Sequence, residues 1–508
     1  MRIRRGDIVR LLVASALIAC LAACGNGGGP NATGGGGGIV GTGKRVVASG
    51  EVNGLGSVIV NGIEFTRSGD PAVSTAPILL AFDNFSTASE DVLRSGMVVA
   101  VSGSYDTASG RGSYTRIVYS PDLRGPLDNG SVDDVAGTFT LLGRTVQAGA
   151  ATIFDGIADL NELAGRQNQN LELEVSGYLD ARDRIQASRV ALKSAGFING
   201  PIQLKGAITL LGDGSFSIGG VNVTTSNATF VDMSSAELAL PGLVVEVRGI
   251  LAGSVVGNAR IERKSSTSGV SAGETMRIKG VAAGALSGNS FVMAGPDGAL
   301  TVTTSAAAFL RGGNPADAAI VAAGARLEVE GTVLADGTLA ARKVTAETQR
   351  RVRLEGDLTS VNLTAGTLTL NGVAVKAGAG TAFRDNRKTP QQVTNLTLAG
   401  LSPGDHLQVI GFADVNGQVV AGEVQRFDAR QVAILQGRVT AVDLAAARLT
   451  ILGVTVTPAL GVELVKGGAS YGDLASFAAQ VATGSTVIKA KGTSTGSVFS
   501  ASSLEIEQ

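Results

Sequence analysis

From Val46 onward the chain alternates short runs of Val, Ile, Leu and Thr with breaks at Gly, Asn and Asp, the pattern of strands joined by tight turns. The stretch after residue 350 is the clearest. Arg351-Val352-Arg353-Leu354-Glu355-Gly356-Asp357-Leu358 alternates polar and apolar residues, which predicts a strand with one buried face. Residues 366–370 and 373–375 flank Asn371-Gly372, a pair that tolerates positive φ and predicts a hairpin with a primed turn. Phe383 follows as a core plug, and 384–403 is a polar insert. Strands over 406–411 and 417–424 bring the total to five.

The same phrase occurs six times. Its opening glycines are Gly50, Gly125, Gly206, Gly280, Gly356 and Gly437, and its closing ones Gly103, Gly177, Gly249, Gly331, Gly411 and Gly492. Repetition at roughly 75–80 residues makes each copy one small fold. We expect β repeats at 46–121, 122–193, 194–265, 274–348, 349–428 and 429–508, with a Ser- and Gly-rich linker at 266–273 dividing three from three. A small-Gly-Val phrase recurs in the hairpins, as at Gly219-Gly220-Val221 and Leu452-Gly453-Val454. Phe154, Phe230, Phe309 and Phe383 share one landmark, which favours core packing over exposed stacking platforms. The first repeat is less regular around Phe82, and the sixth lacks the Phe.

Gly437-Arg438-Val439-Thr440-Ala441-Val442-Asp443, and the closing-hairpin phrase at 331–339, resemble the bacterial domain of unknown function 5666, which occurs in tandem in exported proteins. The resemblance extends over nearly all the mature chain and implies no activity. Three strands, a variable insert and two more strands also resembles the OB-fold, a small Greek-key barrel. Gly within the first strand suits the sharp bend such a barrel needs. The expected fold class is all-β: six tandem small antiparallel β-barrel (OB-like) domains after a signal peptide and a Gly-rich linker.

The leader reads as an address. Arg2, Arg4, Arg5 and Arg10 precede an apolar run from Leu11 to Ala23, too short to span a bilayer as a helix. Leu21-Ala22-Ala23-Cys24-Gly25 resembles the lipobox of bacterial lipoproteins. That resemblance implies a signal peptide over 1–23 and lipid on Cys24, so the membrane is the expected partner. Gly25 in place of Asp implies the outer membrane, with a periplasmic or cell-surface location. Residues 24–45 are a Gly-rich linker whose composition cannot offset its ordering entropy.

Forty-two Lys and Arg against 43 Asp and Glu, with no long charge block, argue against nucleic acid. Cys20 and Cys24 are the only cysteines and Cys20 leaves with the signal, so no internal disulfide is expected. Stability must come from packing.

The candidate chemistry is sparse. Gly38 to Lys44 has the Gly and Lys spacing of a phosphate loop, but Arg45 follows where a metal-binding Ser or Thr belongs and a tether precedes it. His406, the one histidine, lacks a nucleophile elbow and reads as a solvated turn residue. The acidic run 128–134 lacks the spacing of a calcium loop and reads as a polar turn. Glu246, Glu328 and Glu330 occupy repeated strand positions assigned to solvated faces. Tyr105, Tyr114 and Tyr119 cluster in one hairpin and are the candidate ligand-contact patch. No cofactor and no metal site is expected. The functional expectation is a lipid-anchored binding or structural module of the cell envelope, extending a surface toward an envelope protein or glycan. The alternative is an envelope hydrolase with a site between repeats.

Overall fold

The computed structural model describes residues 46–507, apart from 56–57, 62, 69–77, 107–110, 150, 158, 312–313, 348–349, 379–380, 389–390, 414–416, 467–468 and 497. Cys24, the leader and the Gly-rich linker lie outside the described residues. The described residues are nearly all β, with 57% of them in strands and 6% helical.

The stretch after residue 350 folds as its pattern dictates. Its first strand Arg350–Asn362 pairs with the second, Thr367–Leu370, which pairs with the third, Val373–Lys376. Asn371 takes left-handed geometry at the turn (φ 51), as its type allows. The fourth strand His406–Ala413 pairs with the first and with the fifth, Val419–Phe427, and the third runs parallel to the fifth, closing a five-stranded barrel. This is the strand circuit of the OB-fold.

The same circuit is present six times among the described residues. Its closing contact, third strand parallel to fifth, is made at Glu64↔Arg111, Val146↔Ile185, Asn222↔Val255, Val302↔Leu339, Val375↔Val419 and Thr455↔Val498. Each insert carries a short strand parallel to the fifth and a helical turn. The Phe landmark is that short strand: Phe154, Phe230, Phe309 and Phe383 pair with Val190, Ile261, Val344 and Val424. Ile78 and Leu464 hold the place in the first and sixth barrels. Phe82 lies elsewhere, under the Arg124 guanidinium. The helical turns bring Leu163, Leu238, Ile320 and Phe477 into the cores.

The glycines now have a physical reason. Every closing glycine sits where the pairing of fourth and fifth strands slips by one residue, a β-bulge that bends the strand round the barrel. A Cβ on Gly103, Gly177, Gly331, Gly411 or Gly492 would stand 1.9–2.3 Å from a carbonyl oxygen of the fifth strand. At the opening glycines the hairpin turn folds back over the first strand: a Cβ on Gly50, Gly356 or Gly437 would strike the side chain of Asn61, Asn371 or Leu452. Asn61 and Asn371 donate there to the carbonyls of Ser49 and Glu355, each at 2.8 Å.

The barrels are not strung out. First strands pair with first strands, Leu123↔Leu204 and Leu354↔Leu435 antiparallel and Ser49↔Ile278 parallel. The second and third barrels consequently share one apolar core, the fifth and sixth another, while the first and fourth keep their own. All described residues belong to one compact body. The relative placement of the repeats, which the sequence leaves open, is set by this lateral strand pairing. Ser266 and Thr267, in the expected linker, are buried as well, and the Ser266 hydroxyl donates to Gly298 O at 2.6 Å.

Candidate functional site

The outer faces of the first, fourth and fifth strands carry the polar half of the alternation, and barrel-to-barrel packing takes many of those side chains out of water. Lys205, Lys279, Glu355 and Gln436 each precede an opening glycine, and each is buried. Their cross-strand neighbours are Glu246, Glu328, Gln408 and Lys489. The expectation that Glu246, Glu328 and Glu330 face solvent is therefore wrong. Glu246 and Glu330 are buried and Glu328 is partly buried, because a neighbouring barrel or an arginine covers each. Three charged junctions result.

Asp122, Lys205 and Asp297 meet where the first four barrels converge. Lys205 Nζ lies 2.9 Å from Asp122 and 2.6 Å from Asp297, and Gly177 N–H donates to Asp122 at 2.7 Å. Burial pushes the Asp122 carboxyl up to about 6, against the opposing pull of Lys205. Behind it, Glu246 and Glu262 take Lys264 at 3.3 and 3.1 Å and Arg248 at 3.2 and 3.1 Å.

The second junction joins the second and sixth barrels around a cleft of about 600 Å³, including its solvent-open mouth. Asp159, in the insert of the second barrel, caps the helix Leu160–Arg166 by accepting from Glu162 N–H at 3.0 Å. Its carboxylate also meets Lys489 at 3.4 Å and the Lys491 ammonium. Lys489 holds Glu505 at 2.5 Å and Glu507 at 3.0 Å. Burial alone would raise Asp159, but the two lysines hold it well below the usual carboxylate range. Burial pushes Glu507 up despite Lys489, with Glu505 adding to the rise.

The third junction gathers the first, second, fourth and fifth barrels. Arg326 and Arg351 pair with Glu51, Lys279 and Arg326 with Glu347 at 2.7 and 3.0 Å, and Arg384 with Glu423 at 2.9 Å.

The residues singled out in the sequence land elsewhere. The tyrosines do not form an exposed patch. Tyr114 and Tyr119 are buried in the first barrel, their hydroxyls donating to the Glu90 and Glu174 carboxylates, and Tyr105 is half-buried against the same core. Alternation along the fifth strand turns Tyr114 inward, and the second barrel covers Tyr119. His406 is not a solvated turn residue either. It is 2% exposed, its Nδ1 lies 2.8 Å from Asp357 and its Nε2 3.7 Å from Glu355. Burial would lower its pKa, but the two carboxylates raise it. In the acidic run, Asp128 accepts from Thr140 Oγ1 and Gly143 N–H, and Asp133 from Ala136 N–H, so these carboxylates tie a turn to its hairpin. Sequence reading missed the charged junctions. Their one signal is the polar residue set before most of the opening glycines.

Against known families, residues 124–191, 205–262, 277–345 and 355–425 each match the model of a domain of unknown function, DUF5666, together covering more than half of the chain. Each matched stretch runs from a first strand to a fifth strand of one barrel. No curated protein matches the chain.

Proposed function

The chain belongs to the DUF5666 family, and on that premise we propose that it is an exported, lipid-anchored protein of the cell envelope whose joined barrels act as a binding module. The observation that supports binding is the placement of the clefts. The polar cavities lie where barrels meet and are lined from several of them, so a ligand would be recognised by the joined body and not by one repeat. The lipobox-like sequence ending at Cys24 supports the anchor.

A rival reading, an envelope hydrolase, draws on the cleft between the second and sixth barrels. There Glu507 is raised and Asp159 lowered, the split that acid–base pairs display. Lys489 engages both carboxylates, which favours a structural role for them.

Cys24→Ser should abolish lipid labelling and move the protein from the membrane fraction to the soluble fraction. Continued membrane partitioning of the variant sinks the anchor. Screening the soluble variant against envelope glycans, peptidoglycan and envelope proteins should yield a ligand. Turnover of a glycan that Glu507→Gln abolishes would establish the hydrolase instead.

A further inference from the structure

We propose that the cavity at the meeting point of the first, second, fourth and fifth barrels binds an uncharged sugar residue, the terminal ring of a glycan. The cavity encloses about 480 Å³, including its mouth, the scale of a small-molecule site and too small for a long stretch of polymer. This inference deepens the binding reading above and rests on it, but not on the anchor.

The wall has two kinds of surface. Ile410 and Phe412, from the fourth strand of the fifth barrel, form an apolar side. Arg326, Glu347 and Arg351 form a polar side, with Arg351 directly across the strand pair from Phe412. A sugar ring has the matching character: C–H groups that pack on aliphatic and aromatic surface, and a rim of hydroxyls that each donate and accept.

The charged groups on this wall are already partnered. Arg326 meets Glu347 at 3.0 Å and also Glu51, Arg351 meets Glu51 at 3.0 Å, and Glu347 takes Lys279 at 2.7 Å. No ion is needed to compensate them, and a charged ligand would compete with existing pairs. Hydrogen bonding is what they have left to offer. A guanidinium has five N–H donors, and these pairs use only part of each set.

Ser95 supplies an independent observation. It is 3% exposed and lines the cavity, its N–H donates to Glu423 at 3.4 Å, and its carbonyl accepts from Arg189 at 3.1 Å. Its hydroxyl has no hydrogen-bond partner among the described residues. A buried hydroxyl left unpaired is destabilising, and a ligand hydroxyl would complement it as both donor and acceptor.

Gly422 marks the cavity as particular to this copy. It is the extra residue of the fifth barrel's closing bulge, where four other copies carry Thr115, Ser188, Arg342 and Ser502. A Cβ on Gly422 would stand 2.9 Å from Asn53 O and 3.5 Å from Ser95 Oγ. A side chain there would enter the space beside the Ser95 hydroxyl, and glycine leaves it open.

Ligand-observed saturation-transfer NMR on the purified full chain tests the site, with the methyl glycosides of glucose, galactose and mannose as probes and sorbitol as the reference. At least one glycoside should bind saturably, and sorbitol, which has hydroxyls but no ring, should not. Phe412→Leu should weaken binding about fivefold and Ser95→Ala about threefold. Ser95→Ala keeps the test decisive if Phe412→Leu fails to fold, because it removes one hydroxyl that bonds to nothing in the protein. The uronic acid form of whichever hexose binds is a second arm: weaker binding supports an uncharged ligand, and equal or tighter binding overturns it. Absence of saturable binding by all three glycosides overturns the proposal, as does wild-type affinity in Ser95→Ala. A chain that binds no glycoside yet retains an envelope protein as ligand loses this site and keeps the binding reading, whereas one that binds neither loses both.

Discussion

Gly492→Ala is expected to destabilise the protein by about 2–4 kcal/mol, read as a lower urea midpoint for the sixth barrel. The new Cβ would stand 1.9 Å from Ser500 O and 2.9 Å from Ser500 C. Both are backbone atoms, so no side chain can swing aside, and the bulge between Lys491 and Gly492 must open instead. Gly411→Ala should behave alike, since Val420 O lies 2.1 Å from its ideal Cβ. Gly165→Ala is the contrasting control. It lies in the helix Leu160–Arg166 with no neighbour within 4 Å, and should stabilise by about 0.5–1 kcal/mol by restricting the unfolded chain. Equal effects at Gly492 and Gly165 would show that close approach is not what those positions require.

Lys205→Met should cost about 3–5 kcal/mol at neutral pH, because it strands Asp122 in the interior without its ammonium partner. The pH dependence follows from the direction of the Asp122 shift. Its folded pKa, about 6, lies above the ordinary carboxylate range, so the native state holds this proton more tightly than the unfolded chain. Its contribution to stability is full below about pH 4 and is withdrawn as pH rises through about 6. Without Lys205 the carboxyl is protonated more readily still. The variant's deficit should therefore shrink markedly between pH 7.5 and pH 5, estimated as roughly half or more, because the proton neutralises the stranded charge. Thermal melts of wild type and variant across that range measure it. A deficit constant with pH would mean that Asp122 is not the group left uncompensated.

Much of each barrel was legible because it depends on local rules. Alternation around Leu354, the turn at Asn371-Gly372 and the spacing of Gly356 and Gly411 specify strands, hairpin and bends within one copy. Burial beyond the copy was not legible. A period of two tells that Lys205, Lys279 and Glu355 share a polar face, but not whether water or another barrel covers it. Hence Glu246 and Glu330 read as solvated and are buried, His406 read as a turn residue and is enclosed by two carboxylates, and Tyr119 read as a contact residue and is covered by the second barrel. The lateral pairing of first strands leaves no local mark. Leu123 and Leu204 stand about 80 residues apart and meet only because two barrels present the same edge.

That lateral pairing is the central claim, and solution scattering tests it most directly. A single body of roughly 460 residues should show a radius of gyration of about 23 Å. The chain lacking residues 1–35 is predicted to give that value, unchanged by moderate salt. A radius roughly double it, with the profile of separate barrels on a string, would contradict the account.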